Sequence, residues 1–414
     1  MPVLLLAFTA ASILATAFEL WLRQRQAAHV RHHADAVPAG FSAVCTPKQH
    51  RRAATYELAR QRIGAASEAF GLLVALGWVW AGYSALYAGV ATLLPPGLTR
   101  GVAFLVAAGA VSALLSLPFA VWRTFGVEPR FGFNRTTPGT FVRDRLKGAA
   151  VSLVLGVPLL FGVLALMRVG GLWWLWAWAG AVLLMGAMTE VVPRFIMPLF
   201  NRFTPLEGAL RNRVEALLAR CGFASSGLYV MDASRRSAHA NAFFSGLGRF
   251  KRIVLFDTLL DKHPEAEVEA VLAHELGHYK MRHVLIGMVR SAVILFAGLF
   301  VVGWLSRQPW LLPAFGIGAQ DDALALVVCV LAVQIAGPLL GVAGNWVSRR
   351  HEFQADAFAR GMVGAGPMVA ALQRLALENA SFLCTDPLYA LVTYSHPPVP
   401  MRVERLLQEA SVPV

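Results

Sequence analysis

Val271-Leu-Ala-His-Glu-Leu-Gly-His-Tyr-Lys-Met-Arg-His283 runs straight into the apolar stretch Val284-Leu-Ile-Gly-Met-Val-Arg-Ser-Ala-Val-Ile-Leu-Phe-Ala-Gly-Leu-Phe-Val-Val-Gly-Trp-Leu305. The second half is long enough to cross a hydrocarbon core, which takes about 20 helical residues. The first half carries H-E-x-x-H. Glu265, Glu267 and Glu269 precede it without a helix breaker, so a helix is the natural reading. His274 and His278 then lie one turn apart on one face and can share a single ion, with Glu275 beside them to take a proton from an attacking water. A metal centre joined directly to a membrane span sets both the fold and the chemistry.

Working outward, the whole chain is apolar. Its 414 residues are 57% hydrophobic and 15% charged, with a mean hydropathy of +0.57. A soluble domain carries about a quarter charged residues, so the excess apolar surface must meet lipid. Six further apolar runs join the one after the motif, at about 3–22, 69–94, 101–122, 148–167, 171–192 and 324–347. Seven spans are expected. The first lacks a basic leader and a small-x-small cleavage site, and Arg23 and Arg25 follow it, so it reads as a retained span rather than a signal peptide.

Loop charge alternates along the chain. The loop after span 1 holds Lys48, Arg51, Arg52, Arg60 and Arg62, and the loop after span 3 holds Arg130, Arg135, Arg143, Arg145 and Lys147. Only Arg100, Arg168 and Arg307 are found between spans 2 and 3, 4 and 5, and 6 and 7. Positive-inside logic puts the N-terminus outside, and loops 1, 3 and 5 with the C-terminal segment in the cytosol. The net charge of +13 therefore reflects topology and is no sign of nucleic-acid binding. The four cysteines are scattered and support neither a disulfide framework nor a thiolate metal site. Glu19, Glu190, Arg290, Gln334 and Asn345 fall inside or at the ends of spans; Arg290 points to a wet interior.

Two histidines leave a catalytic metal one protein ligand short. His283 follows His278 by five residues, which places it off the ligand face of a continuous helix. Ser348-Arg-Arg-His-Glu-Phe-Gln-Ala-Asp356 offers two carboxylates, Glu352 and Asp356, one turn apart. One can bind the metal while the other accepts the free N–H of a ligand histidine. Spans 6 and 7 form an antiparallel pair, returning Glu352 to the membrane surface where His278 lies. Upstream, Gly227–Asp232, His239–Phe244 and Arg252–Asp257 read as three short strands, the last two joined by the Gly-rich Ser245–Lys251. An edge strand there can hold an extended peptide; a purely structural sheet fits the same pattern. In Tyr394-Ser-His-Pro-Pro398, His396 suits a donor to a developing oxyanion, and a simple loop turn fits equally.

These stretches resemble type 1 CAAX prenyl proteases, integral-membrane metallopeptidases of the Glu-zincin class. The resemblance is carried by PLFNRFTPLEG (198–208), NAFFSGLGRFKRIVLFDTLL (241–260), VLAHELGHYKMRH (271–283), NWVSRRHEFQADAFA (345–359) and YSHPPVPMRVERL (394–406), with FGFNRTTPGTF (131–141) in loop 3. It spans essentially the whole chain, and the KRIVLFDTLL run (251–260) separates it from the shorter heat-shock membrane metallopeptidases. It implies one zinc per chain on His274, His278 and Glu352, with Glu275 as base and Asp356 orienting a ligand. It also implies that Asn241, Ala242, Phe243 and Phe244 line the substrate path, and that His396 and Arg402 lie near the catalytic centre. The implied fold is mainly α: a barrel of seven transmembrane helices around a chamber, with a metallopeptidase domain carrying a small β-sheet on the cytosolic side.

The expected division is a membrane domain (1–193), a catalytic loop (194–283), spans 6 and 7 (284–347) and a C-terminal helical segment (348–414). The expected partners are a peptide or protein substrate, prenylated in the family's named cases, and the lipid bilayer. A composition rich in Arg, Ala and Gly and the lack of a lysine-rich C-terminal retrieval tail favour a bacterial cytoplasmic membrane. Two other functions use the same residues: broad-specificity quality control of membrane proteins, and a transporter with a structural metal. The intact Glu275 argues against the transporter, since a structural site closes its fourth position and needs no base.

Overall fold

The computed structural model describes residues 3–223, 227–246 and 252–408. Five long helices come first: α1 (Val3–His33), α2 (Pro47–Leu93), α3 (Leu98–Phe131), α4 (Pro138–Val169) and α5 (Trp173–Phe200). The catalytic region adds β1 (Phe203–Pro205), α6 (Gly208–Arg220), β2 (Gly227–Met231), β3 (Ala242–Ser245), β4 (Arg252–Phe256) and α7 (Glu265–Lys280). Then follow α8 (His283–Leu305), α9 (Asp322–Val363), α10 (Ala365–Glu378), α11 (Pro387–Thr393) and α12 (Val399–Gln408).

The starts of α2 and α4 are written in the sequence. Thr46 Oγ1 accepts from Gln49 N while Gln49 Oε1 accepts from Thr46 N, and Pro47 takes the first helical position. At the start of α4 Thr137 Oγ1 accepts from Thr140 N, and Pro138 takes the first helical position. Near its end α3 widens into a π-turn at Trp122–Val127, one turn beyond Pro118, whose missing N–H breaks the regular ladder.

Among the described residues, six helices (α1–α5 and α8) are long and apolar enough to cross a membrane. The seventh expected run, 324–347, lies in the first part of α9. This single helix has 42 residues, about 63 Å at 1.5 Å per residue, or twice a hydrocarbon core. It can therefore start at the far surface and still reach the metal-site end.

Buried side chains gather at the two ends of the bundle. One core takes Phe8 from the start of α1, Tyr83 and Tyr87 from the end of α2, Phe104 from the start of α3, Trp173 from the start of α5, and Leu324 from the start of α9. The opposite end packs Val30, Tyr56, Phe131, Phe133 and Phe382. Between these layers the spans bury little: Trp173 is the buried residue of the regular part of α5, and α8 buries His283, Val302 and Gly303, all at its ends.

The sheet has order β1-β2-β4-β3, with β2 and β4 parallel and both outer pairs antiparallel, so β3 is an edge. β1 was not foreseen; three residues ending in Pro205 carry no strand period. β3 begins at Ala242 rather than His239, and the end of the Gly-rich link, 247–251, lies outside the described residues. Ile253 and Leu255 of β4 pack with Val214 and Leu217 of α6, Leu272 and Leu276 of α7, and Leu372 of α10 to form the catalytic core. The C-terminal segment docks back on α1, where Arg25 Nε donates to both Asp386 oxygens at 3.0 and 2.9 Å.

Candidate metal centre

α7 carries Glu265 and Glu267 in its first turn and His278 and Lys280 in its last, each sign matching the helix dipole. α9 packs across it at Gly277. A Cβ there would lie 3.0 Å from Ala355 Cα and 3.2 Å from Ala355 O, so only glycine lets the two backbones meet without a shift. Ala355 and Ala359 are fully buried, completing a contact of small residues. Backbones this close bring two carboxylates one turn apart on α9, Glu352 and Asp356, up to two histidines one turn apart on α7.

His278 Nε2 lies 3.2 Å from Glu352 Oε1 and 3.2 Å from His274 Nε2. His274 Nε2 is 3.5 Å from Glu352 Oε2. On the far side of its ring, His274 Nδ1 is 2.9 Å from Asp356 Oδ1. Ligand-type atoms of His274, His278 and Glu352 thus lie within 4.8 Å of one another. Glu352 Oε2 is buried and accepts no aligned hydrogen bond, although Arg402 Nη1 stands 3.1 Å away as an ion partner. Two ring nitrogens and a carboxylate gathered this closely could hold a metal ion. A His₂Glu set fits a divalent metal and leaves a position open for water.

Asp356 is held in turn by Arg402, whose Nε and Nη2 donate to its two oxygens at 2.8 and 2.6 Å. The Arg402 side chain is 9% exposed and reaches the site from α12, in the first turn after the two prolines. Burial works against charge on His274, but hydrogen bonds to Asp356 and Glu352 outweigh it and lift the ring to about 8. Burial also opposes ionised Glu352, yet His274, His278 and Arg402 hold its carboxyl well below the usual range. Glu275 moves the other way: burial raises it, more than the neighbouring histidines lower it.

His396 comes to the same centre, its Nε2 3.3 Å from Glu352 Oε1 and its Nδ1 2.9 Å from Ser395 Oγ. Its side chain is 65% exposed, the open side of the site. Asn241–Phe244 lies along the β3 edge of the sheet, beside α7. Asn241 O accepts from Phe256 N at 3.1 Å, and Tyr279 Oη donates to Gly246 O at 2.7 Å, tying the strand to the histidine helix.

One expectation is corrected. His283 does not point away from the ligands: its Nδ1 is 3.0 Å from His278 Nδ1. α7 stops at Lys280, and Arg282 adopts the left-handed conformation (φ 59°), so the five-residue spacing does not run along one helix. The sequence reading also missed a clamp from loop 3 on the segment that leads into β3. Ala238 N donates to Phe133 O at 3.2 Å, Arg135 N donates to Arg236 O at 3.1 Å, and the His239 ring stacks on Phe133. The FGFN run was visible, but not its partner a hundred residues away.

Fold and site together define a multi-pass membrane metallopeptidase of the H-E-x-x-H class. Two family models cover the chain: "CAAX prenyl protease N-terminal, five membrane helices" over residues 26–202, and "Peptidase family M48" over 206–410. The rice CAAX prenyl protease 1 homolog is 34% identical over 407 residues, 95% of this chain and 94% of the rice protein. CAAX prenyl protease 1 of Saccharomyces cerevisiae is 32% identical over 75% of this chain and 72% of its own. The crystal structure of S. mikatae Ste24p is similar with a TM-score of 0.90 at 27% identity, over 97% of this chain and 98% of that one. The chain belongs to the CAAX prenyl protease 1 family, within peptidase family M48.

Proposed function

We propose that this metallopeptidase is a zinc endopeptidase that cuts near the C-terminus of prenylated peptides or proteins. The observation that carries the reading is the convergence of His274, His278 and Glu352 on the helix pair beside β3, the edge strand of the sheet. The M48 match and the prenyl protease names of the relatives support it. Zinc on His274, His278 and Glu352 would supply Lewis acidity and a water activated near neutral pH.

The chain's own residues do the rest. β3 pairs with the substrate backbone through Asn241–Phe244, setting register irrespective of side chains. Glu275, raised by burial, takes the proton of the attacking water and delivers it to the departing amine. His396, on the open side, donates to the carbonyl oxygen as charge develops there. Asp356 fixes the His274 tautomer through its 2.9 Å contact, and Arg402 keeps Asp356 ionised and in place.

The division at 193, 283 and 347 is proposed with these roles, as is a water-filled chamber between the two buried layers. Loop charge supports a site facing the cytosol, and composition supports a bacterial cytoplasmic membrane. Broad quality-control proteolysis is the competing reading. Paired peptides differing only in a farnesyl group separate the two, with Glu275→Ala as blank. A tail of about fifteen carbons adds burial at roughly 0.8 kcal/mol per CH₂, so faster release of a single C-terminal tripeptide from the farnesylated peptide is expected. Equal rates at scattered bonds sink the prenyl reading in favour of quality control.

A further inference from the structure

The two proposed histidine ligands are supported differently. His274 leans on a carboxylate, Asp356. His278 leans on another imidazole, His283. His283 is buried, its ring stacked on His351 with centroids 3.9 Å apart and planes 5° from parallel. Its Nδ1 lies 3.0 Å from His278 Nδ1, and its Nε2 lies 3.0 Å from Gln354 Oε1.

The proton positions on these rings follow from one another. Gln354 Oε1 is an amide oxygen and can only accept, so His283 carries its proton on Nε2 and donates it. In the neutral imidazole His283 Nδ1 is then a bare lone pair, and the 3.0 Å contact is a hydrogen bond only if His278 Nδ1 carries the proton. That leaves His278 Nε2 unprotonated, and this is the nitrogen that faces Glu352 Oε1 and His274 Nε2.

We infer that Gln354 and His283 form a neutral hydrogen-bond relay that fixes the tautomer and ring orientation of His278, making His283 a positioning residue for metal capture. The backbone is shaped for it. Arg282, a non-glycine residue at φ 59° and ψ 28°, ends α7 and turns the chain so that the first residue of α8 comes back under His278. Side chains rarely adopt that conformation, and its strain is retained where surrounding structure demands it. α9 completes the device from one turn, His351 and Gln354 holding His283 while Glu352 between them faces the metal position. The relay is uncharged, so it orients His278 without adding to the negative charge that Glu352 and Asp356 already bring.

This inference rests on the reading of His278 as a metal ligand, and the experiment separates the two. Zinc affinity of the full-length, detergent-solubilised protein is measured by chelator competition, alongside the melting temperature of the metal-free form. His274→Ala tests the ligand set itself and is expected to abolish stoichiometric zinc; if it binds as wild type does, the ligand reading falls, and the relay with it. His283→Leu, which cannot accept from His278, is expected to weaken zinc by about 10- to 100-fold with little change in the metal-free melting temperature. His283→Asn places a carbonyl oxygen where Nδ1 was and should return affinity to within a few-fold of wild type. Gln354→Met frees the His283 tautomer and should weaken zinc by several-fold. If His274→Ala releases the metal while His283→Leu and Gln354→Met bind as wild type does, the relay is wrong. Equal weakening in His283→Leu and His283→Asn also overturns it, because packing rather than the accepted hydrogen bond would then be what matters.

Discussion

Glu275 stands between opposing influences: burial favours its neutral form, and the two adjacent histidines favour the ion. Burial prevails and raises the pKa of Glu275, the direction that suits a base that also returns its proton. It is not among the residues whose ligand atoms converge, so removing its charge should leave the metal in place. Glu275→Gln is expected to keep one zinc per chain by elemental analysis while turnover falls by about 10²- to 10⁴-fold. Peptidase activity near wild type in a zinc-loaded Glu275→Gln protein would falsify the assignment of the base. Residue identities at this centre were the most legible part of the sequence. H-E-x-x-H and the pair Glu352/Asp356 each obey the helical repeat, so their geometry follows from spacing alone. His283 was misread for the converse reason: its spacing crosses a helix end at Arg282, and a left-handed turn leaves no mark on a sequence unless glycine or asparagine occupies it.

Among the elements, the crossing of α7 and α9 decides whether a site exists at all. Gly277 faces the backbone of Ala355, so even one methyl group must push the helices apart by a few tenths of an ångström. The carboxylates and the histidines sit on opposite sides of that contact. Gly277→Ala is thus expected to destabilise the fold by about 1–3 kcal/mol as an overpacked contact, and to weaken zinc as well. Thermal unfolding of the metal-free and zinc-loaded forms checks both; a protein that gains stability, as an ordinary glycine-to-alanine change inside a helix does, would show the contact to be slack. The motif showed that a glycine stood there, but the reason lies on a helix nearly eighty residues later. The same holds for loop 3 and the segment leading into β3, where Phe133 and Ala238 bond across a hundred residues. Elements with their own period, such as the H-E-x-x-H helix after Glu265, were readable; the first turns of α2 after Thr46, read as loop because their charges mask the apolar run at 69, and pairings made across the fold were not.

In the whole molecule, apolar side chains do two different jobs. At the ends of the spans they are buried in two separate layers. Along the spans they stay exposed, Leu14, Leu73, Val154, Leu183 and Val293 among them, as a lipid-facing surface requires. The layer formed by Phe8, Tyr83, Phe104 and Trp173 lies at the ends remote from the metal centre, and the charged loops 1 and 3 lie at the near end. Charge and packing therefore divide the molecule along the same axis, and positive-inside logic gives that axis a direction. Single cysteines in a background without Cys45, Cys221, Cys329 and Cys384 read it out at four exposed positions. Pro96→Cys and Gln320→Cys, beyond the far layer, should react with an impermeant maleimide added to intact cells. Lys48→Cys and Ala209→Cys, on the metal-site side, should react only after lysis. Labelling at 209 in intact cells, with 96 and 320 silent, would invert the molecule and place the peptidase outside the cytosol. Labelling at 96 but not at 320 would instead break the pairing of α8 with α9 as antiparallel spans. That pairing is what returns Glu352 to the histidines, so the topology and the metal centre stand on the same measurement.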